Sequence, residues 1–240
     1  MQRINTDAII LNNMDYMESD KIVCAITETR GLIHGIAKGA KRSKKRFTGT
    51  LEPFSEVSIN LFTKPGLELY RIESATLKNP NLAIREDLDL LAHASFLLEL
   101  IMNLMGQDDP NPEAYQYLKE SLSLMEPKSN WFSVWSITML GLLKSLGYGI
   151  DMDEWSKGNT SLKIGNMVYD TGPYHLPQES LAFLVKGDRM PLRLVKRMGT
   201  SMRARIEIEK FFTYLCQRIT GKPLKSASFM AKLLDEKLTQ

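Results

Sequence analysis

Cysteine, histidine and long apolar runs are what this chain has least of. Two cysteines, Cys24 and Cys216, and three histidines, His34, His93 and His175, are spread over 240 residues. Cys24 lies in a strand-like run and Cys216 in a helix-like run, with no spacing that suits a zinc site or a disulfide framework. Both are expected as small core residues. The histidines are far apart in sequence, and no Ser or Cys sits in a nucleophile motif. Catalysis therefore has no sequence signal, and the expectation is a protein that is not an enzyme. No apolar stretch approaches the roughly 20 residues that span a bilayer, and Met1 to Thr6 lacks a basic segment leading into an apolar core. A soluble protein of a reducing, cytoplasmic compartment, without membrane contact, is expected.

Acidic residues are missing from one long stretch. Between Gly31 and Leu51 there is none, while Lys38, Lys41, Arg42, Lys44, Lys45 and Arg46 crowd its middle and Arg30 precedes it. The net charge of the whole chain is only +3. Affinity for phosphate must therefore come from local clustering, and this is where the clustering is. Cations in a solvated loop attract phosphate by Coulomb force and counterion release, with no demand for fixed side-chain geometry. Gly35, Gly39 and Gly49 let backbone approach a ligand closely. Short Lys/Arg runs also serve as plain solvated surface, so a protein-interaction scaffold and an RNA-binding protein stand beside DNA binding as readings of the same residues. Phe47, Phe62 and Tyr70 are the aromatic residues placed to stack on bases or, equally, to fill a core.

The apolar fraction, 43%, is that of an ordinary globular protein. From Ile4 to about Leu77 the apolar period is near two. Asp7 to Leu11, Lys21 to Thr27, Gly31 to Ala37, Glu56 to Phe62 and Leu67 to Ala75 read as strands, and Lys64-Pro65-Gly66 reads as a hairpin turn. Five short strands in so small a space fit an OB-fold barrel, a fold widely used to hold single strands. After Lys78 to Asn81 the period becomes helical. Leu88 to Met105 is apolar all round, as in a helix buried within a bundle. Asn111 and Pro112 suit a cap and first turn. Later stripes run through Tyr115, Leu118 and Leu122, through Phe132, Trp135 and Met139, and through Ile208, Phe212 and Leu215. Thr200 is the expected N-cap of the longest late helix. The fold class is α+β multidomain: an OB-fold over residues 1–79, then an all-α domain over 80–240 with a small irregular insert at 150–176, in which a hairpin around Leu162 to Tyr169 is expected.

Two other patterns fail as sites. Gly35 to Lys41 is too short for a phosphate-binding loop and lacks its hydroxyl. Asp151, Asp153 and Glu154 are close together but read as solvated or capping groups. A second basic set, Lys186, Arg189, Arg193, Lys196, Arg197, Arg203 and Arg205, has only Asp188 opposing it. It suits an extended DNA track or a surface for an acidic peptide tail.

Taken in order, KGAKRSKKR and LEPF within Gly31 to Phe54, LLELIMNLMGQDDPNPEAYQYL from Leu97, LLKSLGY from Leu142 and GKPLKSASF from Gly221 resemble the bacterial recombination mediator family RecO over most of the chain. That resemblance implies an N-terminal OB-fold and a helical C-terminal domain. It further implies binding of single- and double-stranded DNA, annealing of complementary strands, and work with RecR to load RecA on DNA coated by single-strand-binding protein, whose C-terminal tail the second basic set would receive. Many relatives carry a four-cysteine zinc site in the insert. Here the insert has no cysteine and His175 stands alone, so neither zinc nor any other cofactor is expected.

Overall fold

A computed structural model describes residues 2–43, 45–66, 68–150, 161–164, 167–170 and 176–238. Lys44, Asp151, Asp153, Glu154 and His175, which figure among the residues discussed above, lie outside them. The chain divides into two compact units, Met1–Leu82 with Met105–Lys119, and Ala83–Leu104 with Glu120–Gln240.

The first unit is a closed barrel of five strands in the order β1-β2-β3-β5-β4, the OB-fold read from the sequence. The strands are β1 (Gln2–Tyr16), β2 (Asp20–Thr27), β3 (Gly31–Ala37), β4 (Glu56–Thr63) and β5 (Tyr70–Asn79). Period-two patterning decides which side chains enter the barrel. Val57, Ile59 and Leu61 are buried in it while Ser58 and Asn60 face outward. Each such aliphatic residue, removed from water, stabilises the fold by roughly 1.5–3 kcal/mol before entropy is counted. Closure depends on a short parallel contact, Gly35 with Tyr70 and Ile36 with Arg71. A Cβ at Gly35 would meet Ile72 Cγ1 at 2.9 Å and the Tyr70 carbonyl oxygen at 3.2 Å, so glycine is what lets β3 and β5 approach.

Residues Met105–Lys119, drawn from the part of the sequence with helical periodicity, count with this barrel. Gln107 forms a parallel bridge with Leu32, and the Asp108 amide donates to the Leu32 carbonyl at 2.9 Å. Lys119, in the first-unit part of α2 (Pro112–Leu124), pairs with Glu56 at 2.7 Å, and Gln116 donates to Glu28. The expected cap is present: Asn111 Oδ1 accepts from the Ala114 amide at 2.9 Å.

The second unit holds α1 (Leu88–Leu104), the end of α2, α3 (Trp131–Ser145), α4 (Gln178–Asp188), the single turn α5 (Leu192–Val195), α6 (Met202–Thr220) and α7 (Lys225–Leu238), with an antiparallel hairpin of β6 (Ser161–Ile164) and β7 (Met167–Asp170). α3 is buried on every side from Trp131 to Leu143, as its all-round apolar sequence requires. Trp135 sits at its centre, with the rings of His93, Phe132 and Phe212 4.8, 5.4 and 5.7 Å away. His93 is buried with Nδ1 2.7 Å from the Asp89 carbonyl and Nε2 3.3 Å from Glu209. Burial holds its pKa below the usual histidine value, and the Glu209 carboxylate opposes that shift. The cap of α6 is Ser201 rather than Thr200: Ser201 Oγ accepts from the Ala204 amide at 3.1 Å. Serine is the somewhat better N-cap of the two, and its hydroxyl is the one placed to reach the Ala204 amide.

Candidate nucleic-acid interface

The loop from Lys38 to Ser55 joins β3 to β4. Its start is a succession of tight turns, with the Ala40 amide donating to the Ala37 carbonyl and the Arg42 amide to that of Gly39. These turns are tied to the β1–β2 turn. The Gly39 amide donates to Asp20 Oδ1 at 2.8 Å and the Lys41 amide to the Ser19 carbonyl at 2.9 Å. Lys41 Nζ lies 3.1 Å from one Asp15 oxygen and Lys21 Nζ 3.2 Å from the other. Lys41 and then Lys21 hold the Asp15 carboxyl below its ordinary pKa, and the Gly39 amide and Ser19 hydroxyl do the same for Asp20.

The far side of the loop is anchored by apolar burial. Phe47 and Leu51 are buried with the barrel core, the Leu51 carbonyl accepts from Asn13 Nδ2 at 2.7 Å, and the Arg46 carbonyl accepts from the Ala75 amide. Phe47 and Tyr70 are thus barrel residues, closed to base stacking, and Phe62 is half-buried. Their aromatic character suited either place, and barrel closure decides it.

This anchoring sorts the cations. Lys38, Lys45 and Arg46 are exposed and form no ion pair with a carboxylate among the described residues. Arg46 stacks over Phe47 at 5.0 Å and donates to the Lys38 carbonyl at 2.9 Å, a fixed guanidinium facing solvent. Arg42 meets Glu18 at 3.8 Å with both side chains mostly in water, a contact of little strength. Lys41 is held by Asp15. Arg30 is separated from the others: it sits in the β2–β3 turn, at the other end of β3. There its guanidinium donates to the Tyr70 hydroxyl at 3.1 Å and lies 3.5 Å from Asp108, to which Tyr70 itself donates. Burial, and then the bond to Asp108, raise the Tyr70 pKa.

On the outer face of the barrel, register places Met14 opposite Ile22, Tyr16 opposite Asp20, and Ile22 opposite Ile36. Ile36 in turn lies beside exposed Arg71. Met14 and Tyr16 are 58% and 38% exposed. Sequence reading missed this face because it ended the first strand at Leu11. A bulge between Ile10 and Asn12 resets the alternation there, and counting by two from Asn12 would have brought Met14 and Tyr16 onto one side.

In the second unit Arg193, Lys196, Arg197 and Arg203 are exposed, as is Lys186, while Arg189 has partners within the fold. Arg205 differs: its guanidinium lies 4.5 Å above Trp131 and 4.8 Å above Phe132, 3.7 Å from Asp89. Burial lowers its pKa. Trp131, Phe132, Met202, Thr200 and Arg205 line a cleft of about 220 Å³.

Nothing catalytic is gathered among the described residues. No cluster of three or more His, Cys, Asp or Glu side chains could hold a metal there. Both thiols are buried and their pKa values raised, that of Cys24 to about 12, so neither is a nucleophile at neutral pH. No helix among the described residues is long and apolar enough to cross a membrane.

Barrel and helices define the class, an OB-fold protein whose barrel carries a cationic loop and is joined to a helical unit. Comparison with known proteins narrows it. Residues 1–81 match the model for the recombination protein O N terminal domain, and residues 85–228 that for its C terminal domain. The chain is 27% identical to the DNA repair protein RecO of Syntrophotalea carbinolica over 98% of its own length and 96% of the relative's. It is 40% identical to that of Syntrophobacter fumaroxidans, over 54% of this chain and 52% of the other, so that match spans about half of the relative. Identity with the Geobacter metallireducens protein is 34% over 64% of this chain and 62% of the other. The chain belongs to the RecO family of DNA repair and recombination proteins.

Proposed function

We propose that this protein is a non-catalytic recombination mediator that binds single-stranded DNA through the loop between β3 and β4, anneals complementary strands, and acts with RecR in loading RecA onto DNA coated by single-strand-binding protein. The observation carrying the DNA-binding reading is that Lys38, Lys45 and Arg46 project from a loop whose root is fixed by Phe47 and Leu51 and form no ion pair within 4 Å among the described residues, Lys38 acting on Asp20 only at longer range. Family membership is the support for annealing and for the RecR and RecA roles, and for a cytoplasmic, nucleoid-associated place of action. Lys41, Arg42 and Lys44 extend the same charge. With about four phosphates neutralised, single-strand affinity falls about fiftyfold between 50 and 200 mM salt.

The test uses the cations that support no internal pair. Lys38→Glu with Lys45→Glu is expected to lower oligonucleotide affinity at least tenfold at 100 mM salt and flatten the salt slope by about 1.5, with the thermal melt unchanged. Equal affinity in the variant would refute the reading.

For the helical unit, the cleft beside Trp131 and Met202, with Arg205 in its wall and Arg203 on the adjoining turn, suits an acidic peptide with an apolar end. The C-terminal tail of single-strand-binding protein is that kind of peptide. Titration with a labelled tail should saturate with the wild type and weaken with Met202→Glu; binding that does not saturate removes the assignment.

A further inference from the structure

The basic loop starts against a turn that is acidic. Asp15, Glu18 and Asp20 fall within six residues at the junction of β1 and β2, and each meets the loop in a different way. Asp20 takes the Gly39 amide and the Ser19 hydroxyl, so it holds backbone and fixes where the loop begins. Glu18 reaches Arg42 only at 3.8 Å, with both side chains mostly in water. Asp15 instead holds two ammonium groups, one oxygen lying 3.2 Å from Lys21 Nζ and the other 3.1 Å from Lys41 Nζ.

The strand pattern puts Asp15 there. Past the bulge in β1, Asn13 is paired with Val23 and Asp15 with Lys21, and Val23 belongs to the barrel core. Asn13, Asp15 and Lys21 therefore continue the inward-facing row to the end of the barrel, where polar side chains take over from apolar ones. Asn13 Nδ2 donates there to the Leu51 carbonyl at 2.7 Å, and Lys21 Nζ to Asn13 Oδ1 at 3.1 Å. The Lys41 amide is held by the Ser19 carbonyl. Both lysines are thus placed by contacts other than Asp15, and they would stay side by side without it.

A carboxylate between two ammonium groups presents two anionic oxygens, as a phosphodiester does with its two non-bridging oxygens. The Asp15 side chain is 59% exposed, and those of Lys21 and Lys41 are 22% and 32% exposed. An ion pair in that setting is weak. A polyanion that releases counterions on binding has a driving force that a lone carboxylate lacks. We propose that Asp15 is a built-in competitor for DNA phosphate: it occupies the Lys21–Lys41 site at the end of the barrel, and a strand captured by Lys38, Lys45 and Arg46 displaces it. The inference rests on the DNA-binding reading above and adds that the chain binds DNA less tightly than its own cations allow.

The test compares wild type, Asp15→Asn, Lys41→Ala and the double variant, each as the full chain, on a fluorescent oligo(dT) over a range of salt. Asp15→Asn keeps an oxygen that accepts from one lysine, and its thermal melt should match the wild type. It is expected to bind oligo(dT) about 2- to 10-fold more tightly at 100 mM salt and to steepen the salt slope by about 0.7 to 1.4, one or two further phosphate contacts. Asp15→Ser, a second variant without a planar group to fit between the lysines, should show the same gain. In the Lys41→Ala background the gain should largely vanish. Unchanged or weaker binding by both Asp15 variants, with the wild type binding well, overturns this inference and leaves the loop's role standing; weaker binding would make Asp15 a support of the loop. A gain of undiminished size in the Lys41→Ala background also overturns it, since the effect would then be only the loss of one negative charge from the surface. No oligo(dT) binding by the wild type or by either Asp15 variant overturns the inference and the DNA-binding reading together.

Discussion

Met17 holds φ at 49° in the turn between β1 and β2, a left-handed conformation that costs a side chain with a Cβ roughly 1–2 kcal/mol and that Asn adopts with less strain. A flexible apolar side chain, mostly in water, is thus kept where a polar turn residue would be more stable. Met17→Asn is expected to raise stability by about 1 kcal/mol and the melting temperature by about 2–4 °C in a chain of this size, read by thermal circular dichroism. An unchanged or lower melt would mean that the turn carries no strain. Arg30 shows the opposite economy at this scale. Its charge counts among the basic residues in the sequence, yet Tyr70 and Asp108 already satisfy it, and a phosphate would have to displace a carboxylate to reach it.

At the scale of elements, the N-terminus of α7 is capped by another helix. Glu99 of α1 accepts from the Lys225 amide at 2.9 Å and from the Ser226 amide at 2.8 Å, and its second oxygen also takes the Ser226 hydroxyl. A carboxylate there satisfies two otherwise unpaired amides and complements the helix dipole. Glu99→Ala should therefore cost about 2 kcal/mol and speed hydrogen exchange in the first turn of α7; protection unchanged there would show that solvent caps the helix equally well. No local pattern announces this contact, because its partners are more than a hundred residues apart. What was legible had a local cause. β3 was bounded correctly by Gly31 and Ala37, and β4 to within a residue, since their alternation is clean. β1 was cut short because a bulge breaks alternation while pairing continues. The loop cations could be read as a cluster, but their sorting into paired Lys41 and Arg30 and open Lys38 and Lys45 depends on Asp15 and Asp108, acids remote in sequence from the residues they hold.

For the whole molecule, periodicity places a seam at Lys78 to Asn81, and the family models likewise part between residues 81 and 85. The compact units part at Leu82, but Met105–Lys119 then counts with the barrel. A helical stretch returning to a β unit leaves no mark in the apolar period, because what joins it to the barrel is mostly polar: the Gln107 bridge, the Asp108 contacts, and the pairs Lys119–Glu56 and Gln116–Glu28. Gly31 records the closeness of that return. Its φ is 67°, and a Cβ there would come within 1.9 Å of the Asp109 carbonyl oxygen. The strand region alone should therefore be an incomplete folding unit. A fragment of residues 1–82 loses the backbone pairing at Leu32, a partly exposed Arg-Tyr-Asp cluster and the Lys119–Glu56 pair. It is expected to be less stable than the barrel within the full chain by on the order of 3 kcal/mol. Hydrogen exchange reads this directly. Amides of β3 near Leu32 should exchange markedly faster in the fragment, whereas those of β4, paired on both sides by β1 and β5, should keep more of their protection. Equal protection throughout would mean that the barrel is complete without the segment, and that Gly31 has no part in its stability.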